Sequence, residues 1–540
     1  MSDQGADLLI RAAAVHTLVP GQVTQQAIAV RGERILAVSP DPHGLDALVT
    51  ERTTVHELPG STVLPAFDDT HTHLIFAGHS AHDVPVHEAR TIAEFLDLIR
   101  RRAAVTPEGD WIRTTTNWQE LNLAERRMPT AAELDRATDR HPVLVKRGGH
   151  NDVVNTYALR LAGITEDTPV PSGGVIGRDA DGRLNGRLID NAQRLVEHLV
   201  PAEDRGRLID GLRLASRQYA ATGIGTVRDC AVFPADYEVL LEARKAGALN
   251  TRVRALIATF GLSRAQEVED LLDVMEKWRY DADPWLHVWG VKFGLDGGLE
   301  AGATEEPYAC DHAFSGTLTW DPDELATAVT AVVRRGWRVG THAYGDRAVR
   351  VLLDVYERVL HENPGLPAGT LVMEHAGLAG PRQQDRAVAL GIPVTIQQPM
   401  HHDTAEVERE FWGPERVAEI FPARGWLDRG AQVSAGSDFP VGGFGAMRSI
   451  WGMTTRQTVI GVQGPQHAIT YDEALALHTT MAADLNHESG LRGVLTPGRL
   501  ADLTIWDRDP ALCEGDELRD LTPTHTLLGG RLVHGPAATG

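Results

Sequence analysis

Short apolar runs alternate with longer amphipathic stretches through the middle of the chain. The runs have the length and composition of buried strands, and the stretches between them have the apolar spacing of helices. We predict strands within residues 225–229, 288–293, 338–342, 370–375, 392–397 and 432–438. Helices are predicted at 323–335, 347–361, 381–390 and 416–428. This α/β alternation indicates a parallel sheet, and the number of units favours a closed (β/α)8 TIM-like barrel over an open sheet.

The two ends of the chain have a different pattern. Both consist of brief apolar runs separated by Gly-containing turns, which is typical of β-strands. We predict that residues 1–62 and 492–540 form one small β-sandwich domain, although two independent flaps would also fit the pattern. Residues 63–491 would then form the barrel, with an irregular insertion at about 79–201 after the first barrel strand.

The composition narrows the classes of function. A chain of 540 residues with 42% hydrophobic and 23% charged residues can bury a large core. The net charge of -22 argues against a nucleic-acid-binding surface, because attraction to phosphates requires clustered Lys and Arg. Cys230, Cys310 and Cys513 are far apart, which argues against a disulfide framework and a thiolate zinc site. We therefore expect no nucleic-acid partner, and the motifs described below lead us to expect a small-molecule substrate.

The sequence gives no sign of a targeting or membrane segment. The N-terminal residues lack the basic and apolar regions of a signal peptide, and no apolar run approaches the length of a membrane span. We therefore expect a cytoplasmic protein that does not bind membranes. The sequence is silent on oligomeric state, although barrels of this kind commonly pair, and a homodimer is compatible with it.

Polar residues fall where the predicted strands end. In a (β/α)8 barrel the carboxyl ends of the strands meet at one face, where catalytic groups come from several strands. Two histidines at positions i and i+2 of a strand point the same way and can bind one metal ion. The residues at these strand ends are His71, His73, Lys292, His342, His375 and Asp438.

Each of these residues alone has an ordinary structural explanation. A His-x-His pattern arises easily by chance among 23 histidines, and Lys292 could be a buried ion-pair partner. His342 and His375 could be hydrogen-bonded core residues, and Asp438 could cap a helix or turn. Together they favour a metal site, because it is improbable that five separate strands would all end in suitable residue types by chance.

At these positions the sequence resembles the amidohydrolase superfamily, and within it the amidohydrolase-3 or YtcJ-like branch, which includes N-substituted formamide deformylases. The resemblance covers nearly the whole chain. It is carried by the motifs at 65–73, 147–156, 290–297, 342–348, 374–376, 436–441 and 497–503. It implies a barrel with a metal centre above its strands and a terminal β-sandwich.

The resemblance also implies roles for the six residues. His71 and His73 would bind one divalent metal, and His342 and His375 a second. Lys292 resembles the lysine that is carbamylated in related enzymes and bridges two metals, although a one-metal site with a free lysine stays open. Asp438 would bind metal and serve as the general base. Imidazoles and carboxylates suit zinc, and a bound metal lowers the pKa of water.

Further residues are expected to contact the substrate. His150 matches a family motif in the insertion, so we predict that it binds the substrate or polarises its carbonyl, while Asn155 is structural. Trp118, Asp296, Tyr344 and Phe439 are predicted near the pocket, where ordinary packing is an equally good explanation.

The predicted reaction is hydrolysis of a carbon–nitrogen bond by metal-activated hydroxide, with Asp438 as general base. A linear amide is favoured, and an N-substituted formamide is one candidate. The alternatives are a cyclic amide hydrolase, a deaminase or an esterase of the same superfamily. A regulator that binds a small molecule without turning it over ranks below these, because all six positions hold competent residues.

Overall fold

The structure is a computed structural model that describes residues 5–148, 151–171, 174–190, 192–201, 204–279 and 283–536. It divides into two compact units. The first comprises Met1–Ile75, Ala215–Asp438 and Phe444–Gly540. The second comprises Phe76–Leu214 and Phe439–Gly443. No helix in the described part of the chain is long and apolar enough to cross a membrane.

The first unit contains a parallel sheet of eight strands that curls into a nearly closed barrel. In chain order its strands are β1 (Phe67–Thr72), β2 (Ile224–Val232), β3 (Arg252–Ala258), β4 (Leu286–Gly294), β5 (Arg338–Ala343), β6 (Leu371–His375), β7 (Val394–Ile396) and β8 (Val433–Ala435). Each strand pairs with the next in parallel, and β1 pairs with β2. The predicted α/β barrel is confirmed.

The first and last barrel strands are joined by hydrogen bonds near the ends of the strands. The hydroxyl of Thr70 donates to the carbonyl of Ala435 at 3.0 Å. Beyond β8, the amides of Ser437 and Asp438 donate to the carbonyl of His71 at 3.2 and 2.8 Å. These bonds fix the residues that follow β8 beside the residues that end β1.

Helices surround the barrel because one face of each is apolar. In the helix Asp346–Glu362, the buried side chains include Val349, Leu352, Leu353 and Tyr356, at helical spacing. The other α-helices of the first unit are Pro234–Lys245, Ala265–Met275, Pro322–Arg334, Pro381–Ala389, Gln398–Ala418, Ala423–Asp428, Ala446–Thr455, Tyr471–Leu477, Thr480–Leu485 and Asp516–Asp520. Short 3-10 helices lie at Asp46–Leu48, Glu276–Trp278, Pro465–His467 and Pro510–Leu512, and a two-stranded sheet pairs Gln457–Thr458 with Gly461–Val462.

Strands from both ends of the chain form a second sheet in the first unit. Its order is Arg531–His534, His525–Leu528, Leu503–Trp506, Thr54–Pro65, Leu8–Val15, Gln25–Arg31 and Arg34–Ser39. Ile10, Ile28, Leu503 and Leu527 belong to one buried cluster on this sheet. The extra β-structure expected at the termini is therefore present, while the domain boundaries drawn from the sequence stay a prediction.

The second unit has a regular sheet where the sequence predicted an irregular insertion. Its five strands, in spatial order, are Ile112–Arg113, Val143–Arg147, Asn151–Val154, Leu184–Asp190 and Gly174–Arg178. Its helices are Ile92–Ala103, Ala131–Ala137, Thr156–Leu161 and Arg194–Glu197, with 3-10 turns at Val86–Glu88 and Glu120–Asn122. The helices Leu74–Ser80 and Arg205–Ala221 span the divisions between the units. The strands are short, which explains why their period was hard to detect.

Asn155 stabilises the second unit. Its side-chain oxygen accepts from the amides of Ala158 and Val143, at 3.1 and 3.0 Å, and so caps the helix Thr156–Leu161. Its side-chain nitrogen donates to the carbonyls of Thr138 and His141. Because the residue is fully buried and its amide is occupied by backbone partners, its role is structural.

Candidate metal centre

Three predicted metal ligands lie together at the junction of β1 and β8. His71 lies near the end of β1, His73 directly follows β1, and Asp438 follows β8. Nε2 of His73 lies 2.9 Å from Oδ1 of Asp438, and Nε2 of His71 lies 3.4 Å from the same oxygen. One potential ligand atom from each residue lies within 4.8 Å of the other two. Barrel closure therefore builds a compact donor set from residues far apart in sequence.

Lys292 lies beside this donor set. It comes from the carboxyl end of β4 and is buried. Its Nζ atom is 3.4 Å from Nε2 of His71. The lysine therefore faces the barrel interior at the same level as the first histidine.

His342 and His375 complete the group that the sequence predicted. They end β5 and β6, and their ring centroids are 4.4 Å apart. The ring of His375 also lies 4.5 Å from that of His71. All six predicted residues are thus brought to one face of the barrel, although their roles as ligands stay a prediction.

Two of these residues have left-handed backbone conformations. His375 has φ 70° and Asp438 has φ 58°. A non-glycine residue in this region costs of order 1–3 kcal/mol and persists only where surrounding contacts hold it. Such strain is common at functional sites, and here it turns the chain sharply at the ends of β6 and β8.

Hydrogen bonds orient the imidazoles of His71, His375 and His342, of which the first two are buried and the third is half-buried. Nδ1–H of His71 donates to Glu374 Oε2 at 2.7 Å, and Nδ1–H of His375 donates to Gln397 Oε1 at 2.7 Å. Nε2 of His342 lies 3.2 Å from the carbonyl oxygen of Gly297. In each ring one nitrogen is engaged by an oxygen, which leaves the other as a lone-pair donor for a metal.

Glu374 contacts the predicted ligand His71, and the sequence analysis had assigned it no role. Its Oε1 lies 2.7 Å from Arg228, and its Oε2 accepts from Thr395 at 2.7 Å. Burial opposes its ionisation, but the charges of Arg228 and Lys292 hold its pKa below the usual range. The sequence could have indicated Glu374, because it directly precedes His375 in a family motif. Arg228 lies inside β2, and no sequence motif pointed to it.

A second cluster of possible ligands consists of His71, Glu374 and Cys230. Burial strongly raises the pKa of the Cys230 thiol, and only a thiolate is a good metal ligand. Glu374 is already occupied by Arg228 and Thr395. The donor set of His71, His73 and Asp438 is therefore the better metal site.

Burial and neighbouring positive charge keep the deepest imidazoles neutral. The pKa of His71 is lowered well below its usual value by burial, and further by Lys292 and His73. The pKa of His375 is lowered in the same way by burial and by His342. Only a neutral imidazole has a lone pair for a metal, so the residues present fit a divalent cation.

Asp69 supports the segment that carries Asp438. Its carboxylate accepts from the amide and the hydroxyl of Ser437, at 2.9 and 2.6 Å. Burial raises the pKa of Asp69 to about 7, against the effect of these hydrogen bonds. This contact fixes the turn after β8 to the middle of β1.

Asp296 and Tyr344, predicted near the pocket, are both buried close to His342. The Asp296 carboxylate accepts from the amides of Ala303, Tyr344 and Gly345 at 2.8–3.0 Å, and lies 3.3 Å from Nε2 of His342. The Tyr344 ring lies 5.7 Å from that of His375, and its hydroxyl donates to Glu408 at 2.9 Å. Both support the metal centre, and their contact with substrate stays a prediction.

The other predicted substrate-binding residues belong to the insertion or follow Asp438. In the second unit, Trp118 is buried against Phe95, and its indole N–H donates to the carbonyl of Lys146 at 2.7 Å. Phe439 is half-buried. His150 lies outside the described residues. The roles assigned to Trp118, Phe439 and His150 therefore stay predictions.

Comparisons with known proteins agree with this geometry. The model of the amidohydrolase family matches residues 54–534. The chain is 29% identical to N-substituted formamide deformylase of Arthrobacter pascens, covering 98% of each chain. It is 26% identical to the putative amidohydrolase YtcJ of Bacillus subtilis, covering 88% of this chain and 90% of that one. An uncharacterized metal-dependent hydrolase from Pyrococcus horikoshii has a similar fold, with a TM-score of 0.76 at 21% identity, covering 95% and 99% of the chains.

Proposed function

Because the chain belongs to the amidohydrolase family and is a hydrolase of carbon–nitrogen bonds other than peptide bonds, we propose that it hydrolyses a linear amide. An N-substituted formamide is the favoured substrate class, because the relative of that specificity matches almost the full length of this chain. The observation that carries the proposal is the convergence of His71, His73 and Asp438 on one face of the barrel.

A divalent metal, which we propose to be zinc, would be held first by His71, His73 and Asp438. His342 and His375 would hold a second ion, and Lys292, once carboxylated, would be a further ligand. When bound, such a metal polarises a carbonyl group and lowers the pKa of water. The neutral imidazoles and the buried carboxylate suit zinc, which prefers nitrogen and carboxylate ligands.

We further propose that Lys292 is carboxylated on Nζ. Its Nζ atom lies 3.4 Å from Nε2 of His71, where an ammonium group would repel a cation. Addition of carbon dioxide to the neutral amine forms an N–C bond and releases one proton, which yields an anionic carbamate with two oxygen ligands. Mass spectrometry of the intact protein, prepared with bicarbonate, tests for the added group.

Asp438 is the proposed general base. Its Oδ1 lies within 3.4 Å of Nε2 in both His71 and His73, which fixes the carboxylate over the donor set. From there it can accept a proton from the attacking water and return it to the leaving nitrogen. The left-handed turn at Asp438 and the hydrogen bonds that Ser437 donates to Asp69 hold the group in place.

Metal removal and substitution test the proposal together. Enzyme stripped of metal should lose formamide hydrolysis and regain it with zinc. Asp438→Asn should lose at least 100-fold in kcat while the fold is retained, because the amide cannot accept the proton. Full activity after verified metal removal would contradict the metal-dependent mechanism. Product analysis on amides, lactams, aminopurines and esters separates the proposed reaction from its superfamily alternatives.

A further inference from the structure

Two phenylalanine rings lie in contact with solvent after neighbouring barrel strands. Phe233 directly follows β2, and Phe260 lies two residues after β3. Their side chains are 36% and 43% exposed, and the ring centroids are 6.4 Å apart in an edge-to-face arrangement. A single exposed apolar side chain needs no explanation, but this pair forms a continuous apolar surface.

The Phe260 ring lies directly over Gly294, the last residue of β4. A Cβ atom at position 294 would be 3.3 Å from Cε1 of this ring, so the absence of a side chain there lets the ring approach. Gly294 and Lys292 are two residues apart and face the same side of the strand. The ring therefore lies on the face that carries Lys292, about 7 Å further along the strand.

Strand register places the same ring beside the predicted metal ligands. Ala258 pairs with Lys292, and the amide of Thr259 donates to the carbonyl of Lys292 at 2.9 Å. Continued by two residues, this register places Phe260 next to Gly294. Gly294 in turn pairs with His342. Phe260, in the turn after β3, thus lies beside Gly294 of β4, and Gly294 lies beside His342 of β5.

We propose that Phe233 and Phe260 form an apolar subsite that binds the N-substituent of the substrate. This inference rests on the proposed amide hydrolysis and adds the substrate class: amides whose nitrogen carries an extended apolar group. The residues that follow barrel strands at this face build the substrate site in enzymes of this fold. The formyl carbon would lie at the metal ligands, and the substituent would extend over Gly294 onto the two rings.

The test compares N-methyl-, N-butyl- and N-hexylformamide with wild-type enzyme and with Phe260→Ala, Phe233→Ala and the double variant. Burial of each added methylene should raise wild-type kcat/KM by up to about fourfold. The double variant should lose most of this dependence of kcat/KM on chain length. Leu512→Ala is a matched control, because Leu512 is 82% exposed and lies in a 3-10 turn of the terminal segment.

An unchanged dependence on chain length in the double variant would overturn the subsite. Sedimentation tests the alternative that the two rings contact a second copy of the chain. A double variant with a changed oligomeric state and an unchanged dependence on chain length would support that alternative and overturn the subsite. If no formamide is hydrolysed, the proposed reaction is wrong. Calorimetry then measures binding of the same amides to metal-loaded wild type and double variant, and tests whether the two rings bind the N-substituent. Affinity that rises with chain length only in wild type supports it, and equal slopes contradict it. Circular dichroism verifies that the variants are folded.

Discussion

The carboxylate of Glu374 joins His71 to Arg228. One oxygen accepts from Nδ1–H of His71 at 2.7 Å, and the other lies 2.7 Å from the guanidinium of Arg228. All three residues are buried. The arrangement fixes the imidazole with Nε2 towards Asp438 and makes His71 a stronger electron-pair donor. The arginine in turn balances a charge that would be costly in the barrel interior.

Glu374→Gln should weaken divalent-metal affinity by about 10- to 100-fold, because a neutral amide orients and polarises His71 less well than a carboxylate does. Competition with a chelating dye measures the affinity, and circular dichroism verifies the fold. Thr395→Val is the matched control, since it removes one hydrogen bond to Glu374 and keeps the charge. Equal metal affinity in Glu374→Gln and wild type would show that the ion pair between Glu374 and Arg228 stabilises the barrel but does not contribute to metal binding.

Tyr344→Phe should lower the free energy of unfolding by about 1–3 kcal/mol. The substitution keeps the ring against His375 but removes the hydroxyl that donates to the buried carboxylate of Glu408. Urea denaturation measures the loss. Tyr356→Phe provides a comparison, because that buried hydroxyl bonds only to the uncharged groups Thr341 Oγ1 and Val372 O, and should cost less. A larger loss in Tyr356→Phe would disprove the argument from charge.

Gly436→Ala should destabilise the protein by about 2 kcal/mol or more and reduce metal binding. A Cβ atom at this position would lie 2.5 Å from the amide nitrogen and 2.8 Å from the carbonyl oxygen of His71, which are backbone atoms that cannot move aside. Gly298→Ala is the control, because no heavy atom lies within 4 Å of a Cβ placed there. Thermal unfolding and metal analysis of both variants check the expectation; similar behaviour of the two would refute it.

A pH-dependent contribution to stability is expected from Glu133 in the second unit. A hydrogen bond from Arg127, together with bonds from Thr130, lowers the pKa of Glu133 to about 2. A lowered pKa in the folded state stabilises the protein above the unfolded-state pKa of about 4.3, and this stabilisation is lost as the pH falls towards 2. Glu133→Gln should therefore cost about 1 kcal/mol at pH 6 and progressively less below pH 4.

Denaturant titrations of wild type and Glu133→Gln at pH 3, 4 and 6 measure this difference. Thr130→Ala removes the capping hydroxyl but keeps the ion pair with Arg127. Its effect on stability should change less between pH 6 and pH 3. A Glu133→Gln effect that is constant over this range would rule out the link to ionisation.

The sequence was most informative where polar residues interrupt an apolar strand at its end. That rule brought out Lys292 and Asp438, because catalytic residues of this fold come from the carboxyl ends of several strands. It could not assign a role to Glu374 or detect Arg228, because their partners lie on distant strands. Asp296 and Tyr344 were placed at the pocket, and the structure shows both buried behind the histidines.

Local breaks in pattern explain the errors in secondary structure. The sequence predicted a helix at 416–428, whereas the structure has helices at Gln398–Ala418 and Ala423–Asp428. The first contains Pro414 and a kink at Gly413, where φ is 82°. Because glycine and proline normally end a helix, the sequence analysis did not extend a helix across residues 413 and 414. The chain leaves the helical conformation at Gly413, so the local preference is obeyed and two helical segments meet at this kink.

The bond between His73 and Asp438 spans 365 residues of sequence. A chain still emerging from the ribosome has His71 and His73 long before it has Asp438, and β8 must dock on β1 before the three residues come together. A metal ion that binds at this site would therefore bind late in folding. An ion bound by these residues would connect the first and last strands of the barrel, and its binding would stabilise the closed barrel against unfolding.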